Sequence, residues 1–230
     1  ESARAFAVNA EGAGAVATAA RALGVPLIHL STDYVFDGSV ARALVESDAP
    51  GPLNVYGASK LAGERAVAQA GGDHAILRVS WIYGPHGDNF LRKMLTLARN
   101  RPIVNVVDDQ FGLPMSSLDL ADAILTIAGN LVARPHAPRL RGLFHVAAEG
   151  EAISWADFAQ AIFDSAASHG GLIARVERVP SSAFPSVARR PAWSWLDASL
   201  LKDVHGVALR PWRESLDEVL SRLARDGDWT

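Results

Sequence analysis

Tyr56 and Lys60 stand four residues apart in NVYGASKLAGE (54–64). On a helix that spacing puts both side chains on one face. A lysine ammonium beside a phenol favours the phenolate and lowers the phenol pKa from its ordinary value near 10. Such a phenol is a usable acid or base at neutral pH. Tyr and Lys at this spacing also occur on solvated helix faces, so the pair alone does not specify catalysis. A second feature lies about 20 residues upstream, where the apolar run VPLIHL (25–30) ends on Ser31, Thr32, Asp33 and Tyr34. A short apolar run of this kind reads as a buried strand. In α/β proteins the carboxyl ends of strands border the crevice where ligands bind. A strand that closes on four hydrogen-bonding side chains is a candidate for such an end.

The elements around these residues can be read from pattern. Residues 2–23 form an amphipathic, Ala-rich helix stopped by Gly24 and followed by Pro26. Residues 25–32 are a strand, 37–54 a loop rich in Gly, Pro, Asp and Ser, and 55–70 a second helix ending at Gly71-Gly72. AILRVSWIYG (75–84) is read as one further strand with a polar and aromatic end. Helix, strand, loop, helix, strand is the rhythm of a parallel sheet with crossover helices. Beyond Gly84 the pattern is mixed: helices at 89–99, 117–133, 154–167 and 212–225, and strands at 102–110, 142–148 and near 172–179. Ser154 with Asp157 three residues on is a candidate cap for the helix at 154–167. ARPHAPRLRG (133–142) is a polar loop, and Pro180, Pro185 and Pro191 mark another.

Composition excludes several function classes. The 230 residues are 49% hydrophobic and 20% charged, ordinary for a globular protein. A net charge of −3 gives no field for nucleic acid or an anionic membrane. Without cysteine there is no disulfide, thiol catalysis or Cys-type zinc site. No run of 18 apolar residues suggests a membrane span, no signal peptide opens the chain, and a cytoplasmic location is expected. The histidines at 29, 74, 86, 136, 145, 169 and 205 show no metal-ligand spacing, and His29 is expected to be a satisfied core residue. Arg92, Lys93, Arg99 and Arg101 read as a solvated helix face. Trp155, Trp193, Trp195 and Trp212 read as packing.

Five segments occur in order: STDYVFDG (31–38), YGASKLAGE (56–64), RVSWIYG (78–84), VDDQFGLP (107–114) and RRPAWSWLD (189–197). Together they resemble, over nearly the whole chain, the dTDP-4-dehydrorhamnose reductase family in the extended branch of the short-chain dehydrogenase/reductase superfamily. The resemblance implies a Rossmann-like, doubly wound parallel sheet with a smaller mixed α/β substrate domain. Residues 1–84 and 117–148 would form the C-terminal part of the NAD(P)-binding domain, and 85–116 with 149–230 the substrate-binding domain. It implies that Thr32 assists a carbonyl, Tyr56 donates a proton, and Lys60 binds the nicotinamide ribose. Asp33 and Tyr34 match positions beside the sugar, and Trp81 matches a tryptophan that packs on the deoxysugar ring. Asn9 resembles an asparagine that interrupts a sheet-side helix and supports a water relay to the lysine; a buried structural polar residue is the equal alternative. Gln110 and Arg190 fall in motifs of the substrate side, where contacts to the nucleotide diphosphate and local structural bonding are both open.

The implied reaction is reduction of the C4 ketone of dTDP-4-dehydro-L-rhamnose with NADPH or NADH, for cell-surface polysaccharide precursors. Related dehydratases carry glutamate where this chain has Tyr34, so elimination would lack its second acid/base group. An epimerase of the same branch is disfavoured less strongly. A non-catalytic regulatory subunit and an inactive truncated homologue are the readings from another class. The family resemblance allows Mg²⁺ and a homodimer, although no motif here spells out either. No G-x-x-G-x-x-G turn occurs, and EGAGAV (11–16) follows no strand. By the resemblance, Glu1 would fall roughly 70 residues into the family's length, with the first strands, the pyrophosphate turn and the NAD/NADP discriminator before it. A chain of this extent is expected to bind nicotinamide cofactor poorly by itself.

Overall fold

The computed structural model describes residues 2–135, 137–184 and 188–229; His136 and Pro185 lie outside the described residues. By internal contacts the chain divides into two units. The first is Glu1–Ser80, Ala121–Ala147 and Val187–Ala208; the second is Trp81–Leu120, Ala148–Ser186 and Leu209–Thr230. Residues 188–208 pack in the first unit, whereas the sequence reading groups them with the second domain.

The first unit opens with α1 (Ser2–Phe6), a π-helical segment (Ala7–Gly12) and α2 (Ala13–Leu23), which follow one another in helical conformation. Gly24 ends the run in the left-handed region (φ 66°), a conformation glycine adopts without a Cβ penalty. β1 (Leu27–Thr32) follows, then α3 (Val55–Gln69) and β2 (His74–Val79). α3 starts where Asn54 Oδ1 accepts from the Gly57 amide at 2.8 Å, an N-cap bond that satisfies an otherwise orphaned donor.

The expected strand 75–84 is instead two strands. β2 ends at Val79, and β3 (Ile82–Tyr83) belongs to the second unit. Between them Trp81 adopts φ 43°, a costly conformation for a bulky residue, and the ladder cannot run through it. The apolar-polar pattern is continuous across this point, so it could not reveal the break.

The second unit continues with α4 (Phe90–Asn100), β4 (Ile103–Val107), β5 (Phe111–Gly112) and β6 (Met115–Ser116). α5 (Ser117–Ala133) starts in this unit and continues in the first. β7 (Gly142–His145) is a strand of the first unit. β8 (Ile153–Ser154), α6 (Trp155–Ser168) and β9 (Arg175–Val179) return to the second. α7 (Ser199–His205), which the sequence pattern did not suggest, lies in the first unit, and α8 (Trp212–Asp226) in the second.

In the first unit β1, β2 and β7 form a parallel sheet in that order. Its register pairs Ser31 with Arg78 and Arg78 with His145, and Thr32 with Val79. The second unit is held by a parallel β4–β9 pair, the short pairs β3–β6 and β5–β8, and helices α4, α6 and α8. Leu91, Phe158, Ile162, Phe163, Val219 and Leu220 are among its fully buried core. α6 carries the expected cap: Ser154 accepts from the Asp157 amide, and Asp157 accepts from the Ser154 amide.

Candidate active site

β1 and α3 bring the sequence-predicted residues of the first unit together. β1 ends at Thr32, and a 3-10 turn (Asp33–Val35) follows at once. Thr32 Oγ1 accepts from the Tyr34 amide at 3.2 Å and donates to Asp33 Oδ1 at 2.9 Å. The turn rests on the first turn of α3: a Cβ on Gly57 would come within 2.0 Å of the Tyr34 carbonyl oxygen. Only glycine allows the tyrosine-bearing helix to approach this close. The Tyr34 and Tyr56 rings meet edge to face, centroids 5.9 Å apart, a favoured arrangement for aromatic pairs.

The Thr32 hydroxyl lies near the Tyr56 phenol. Tyr56 is 48% exposed. Partial burial pushes the phenol pKa up, the Thr32 hydroxyl opposes this, and Asp33 adds to the rise. The expected lowering by Lys60 is therefore not what the structure holds. Lys60 Nζ is turned to the Leu30 carbonyl, to which it donates at 2.6 Å. Desolvation lowers the lysine's own pKa, and Glu64 counters it. The phenol is thus kept protonated at neutral pH, which suits a proton donor.

Asp33 is only 3% exposed. Desolvation pushes its carboxyl up to about 7, against hydrogen bonds from Thr32, Ser194 and backbone amides. Its Oδ2 has no hydrogen-bond partner among the described residues. Tyr34 is pushed up to about 12, chiefly by burial and by Asp33, with Arg190 pulling the other way. Ser194, in the RRPAWSWLD segment, is a site neighbour that sequence reasoning did not single out. Its signal was its place in the same motif as Arg190.

Asn9 lies in the π-helical segment between α1 and α2. Its Nδ2 donates to Ser59 Oγ at 2.9 Å, and Ser59 Oγ donates to the Tyr56 carbonyl at 2.9 Å. A cleft of about 410 Å³ opens along β1, lined by Asn9, His29 and Lys60 among Val8, Val16 and Leu27. His29 is not the satisfied core histidine expected. Its Nε2 is buried without a partner among the described residues, and desolvation, with Lys60, lowers its pKa to about 4.

A lysine ammonium has three N–H donors, and Lys60 commits one to Leu30. The others suit the oxygens of a ribose diol, so Lys60 and Tyr56 fit the nicotinamide-ribose end of a dinucleotide. The Gly-rich turn that a pyrophosphate needs occurs in no stretch of the 230 residues.

Trp81 belongs to the second unit. Its ring stacks on Trp155, centroids 3.5 Å apart at 7°, and Phe90 packs against Trp155 at 4.6 Å. Arg92, expected on a solvated face, is ion-paired with Asp228 at 2.9 Å. Gln110 is half-buried and Arg190 exposed. Among the described residues no group of three or more His, Asp or Glu side chains is gathered to hold a metal ion, and no helix is long and apolar enough to cross a membrane.

Comparison with known proteins gives the family. The family model described as "RmlD substrate binding domain" matches residues 1–225. A dTDP-4-dehydrorhamnose reductase of Sinorhizobium fredii is 46% identical over 97% of this chain and 75% of its own length. A dTDP-4-keto-6-deoxy-D-glucose reductase of Streptomyces niveus is 37% identical over 95% of this chain and 72% of its own. The crystal structure of a dTDP-4-dehydrorhamnose reductase from Bacillus anthracis, in complex with NADP, superposes with a TM-score of 0.84 at 34% identity, covering 93% of this chain and 72% of that one. With nearly its whole length matched and relatives of this similarity, the chain belongs to the RmlD substrate-binding-domain family, among the dTDP-4-dehydrorhamnose reductases.

Proposed function

We propose that this protein reduces the C4 ketone of dTDP-4-dehydro-L-rhamnose to dTDP-L-rhamnose, in the cytoplasm, in the supply of nucleotide sugars for polysaccharide synthesis. The observation that carries the reading is the Tyr56 phenol, beside the Thr32 hydroxyl and one helical turn from Lys60. NADPH, the reduced form of the NADP bound in the Bacillus anthracis structure, supplies the hydride to C4 when bound. Tyr56 gives its phenolic proton to the oxygen that becomes the C4 hydroxyl, which balances the hydride. Thr32 lies beside that phenol and hydrogen-bonds the developing alkoxide, the kind of preorganised donor that stabilises charge as it forms. Lys60 orients the nicotinamide ribose through the N–H donors it does not spend on Leu30. Asp33 and Tyr34 shape the sugar side, and Trp81 packs on the deoxysugar ring.

Tyr34 stands where a dehydratase of this branch has an acid, and a phenol pushed up to about 12 is a poor substitute for a carboxylic acid. This favours simple reduction over elimination. The Streptomyces niveus relative carries the name of a reductase for a different 4-keto sugar, so the sugar itself is part of the test. The complete gene product, given NADPH deuterated at the transferable position, is expected to place one deuterium at C4 of dTDP-4-dehydro-L-rhamnose. Preference for dTDP-4-keto-6-deoxy-D-glucose would reassign the substrate. No deuterium transfer to either sugar would refute the reaction.

A further inference from the structure

Lys60 and Glu64 continue the line of Tyr56 along α3 at one-turn intervals. Between them the three meet three neighbouring residues of β1. Tyr56 lies beside the Thr32 hydroxyl, Lys60 Nζ donates to the Leu30 carbonyl at 2.6 Å, and Ser31 Oγ donates to Glu64 Oε1 at 2.5 Å. Only the last rung is buried throughout: Ser31 is 3% exposed and Glu64 6%. Glu64 is itself gripped from β2, where Arg78 donates from Nε to Oε1 at 2.9 Å and from Nη2 to Oε2 at 2.8 Å. Arg78 faces His145 Nε2 of β7 at 3.5 Å, and its guanidinium lies over Phe36 at 4.9 Å. The sheet register sets Ser31, Arg78 and His145 side by side. The three strands thus present one polar row to a single carboxylate on the helix that carries Tyr56 and Lys60.

Buried charge is expensive to maintain. Replacing such a pair with apolar residues is often neutral or stabilising, so fold stability is a weak reason for this one. A bidentate guanidinium–carboxylate pair, however, fixes geometry in a way apolar packing does not. We infer that the Ser31–Glu64–Arg78 network is a positioning device: it locks the register of α3 on β1, and so sets the Tyr56 phenol against the Thr32 hydroxyl. The inference rests on the proposed reduction for its kinetic arm but not for its spectroscopic one. Ser31 and Arg78 touch neither sugar nor cofactor in this account; they act through α3.

The test uses the complete gene product and Ser31→Ala, which removes one rung and leaves the ion pair intact. Small misplacements of reacting groups carry large rate penalties, so kcat should fall by between about tenfold and a hundredfold with KM nearly unchanged. Ser31→Thr, which restores a hydroxyl, should recover most of it. In the same samples labelled with ¹³C at the tyrosine ζ carbon, the Tyr56 resonance, identified by its loss in Tyr56→Phe, should shift or broaden in Ser31→Ala. If Ser31→Ala does not fold, the charge-free pair Glu64→Leu with Arg78→Met takes its place, with the same expectations for kcat and the Tyr56 resonance. A Tyr56 resonance unmoved by the substitution overturns the inference, as does an unchanged kcat or a loss confined to KM. Should the wild-type protein reduce neither sugar, the reaction assignment fails while the Tyr56 resonance still decides the positioning role.

Discussion

At the scale of single residues, the site depends on which groups keep their protons. Burial holds the Tyr56 phenol above its ordinary value, so in the proposed reaction it enters as an acid. Thr32→Ala removes the hydroxyl beside it, and kcat is expected to fall by roughly a hundredfold, the usual size of a lost donor of this kind, with Thr32→Ser largely restoring it. Asp33 gives a separate prediction about stability. Its folded-state carboxyl is raised to about 7. Between about pH 4 and pH 7 the folded chain holds a proton there that the unfolded chain has released, so stability falls as pH rises through that window. Asp33→Asn cannot ionise. Its advantage over the parent in denaturant midpoint should therefore grow from pH 5 to pH 8, reaching on the order of 1–4 kcal/mol at about 1.4 kcal/mol per tenfold change in acidity. A difference that does not change with pH would show that Asp33 is not held in this way. The spacing placed Tyr56 and Lys60 one turn apart on α3, and the apolar run before it placed Thr32 at the end of β1; their roles come from the family resemblance. The rise of the Tyr56 phenol was not legible in the sequence, because it depends on desolvation and on Lys60 turning to the Leu30 carbonyl.

At the scale of elements, the helix run 2–23 and α3 pack closely enough that side-chain size decides the geometry. A Cβ on Gly63 would come within 2.1 Å of the Asn9 carbonyl oxygen. That contact is backbone and cannot swing aside, so Gly63→Ala must push the π-helical segment off α3. We expect a loss of about 1–3 kcal/mol, typical of overpacking, read as a lower denaturant midpoint with an unchanged slope. Wild-type stability in Gly63→Ala would mean the two helices are not so tightly apposed. The helices at 55–70 and 154–167 were legible because periodicity and caps marked them. Two features escaped. The π-helical segment is a hydrogen-bond shift within an apolar pattern that looks the same either way. α7, at seven residues, is too short to display a helical period. The split at Trp81 escaped because a turn made by a tryptophan at positive φ carries no Gly or Pro to announce it.

At the scale of the molecule, the chain crosses between two units several times, and each unit has its own buried core. The acid, the hydroxyl and the lysine lie in the first; Trp81 with its stacked partner Trp155 lies in the second. The 230 residues offer the ribose end of a dinucleotide a lysine and a tyrosine, but hold no Gly-rich turn for its pyrophosphate. Calorimetric titration of the 230-residue chain with NADPH should therefore show only weak binding, and a micromolar dissociation constant would contradict this division. The most direct measurement is the turnover of NADPH with dTDP-4-dehydro-L-rhamnose by the complete gene product and its Tyr56→Phe variant, side by side. The account predicts sugar-dependent NADPH consumption that drops by about 10²–10⁴ in the variant, the range for loss of a positioned acid, with the KM for NADPH nearly unchanged. Turnover by Tyr56→Phe at the wild-type rate would contradict it.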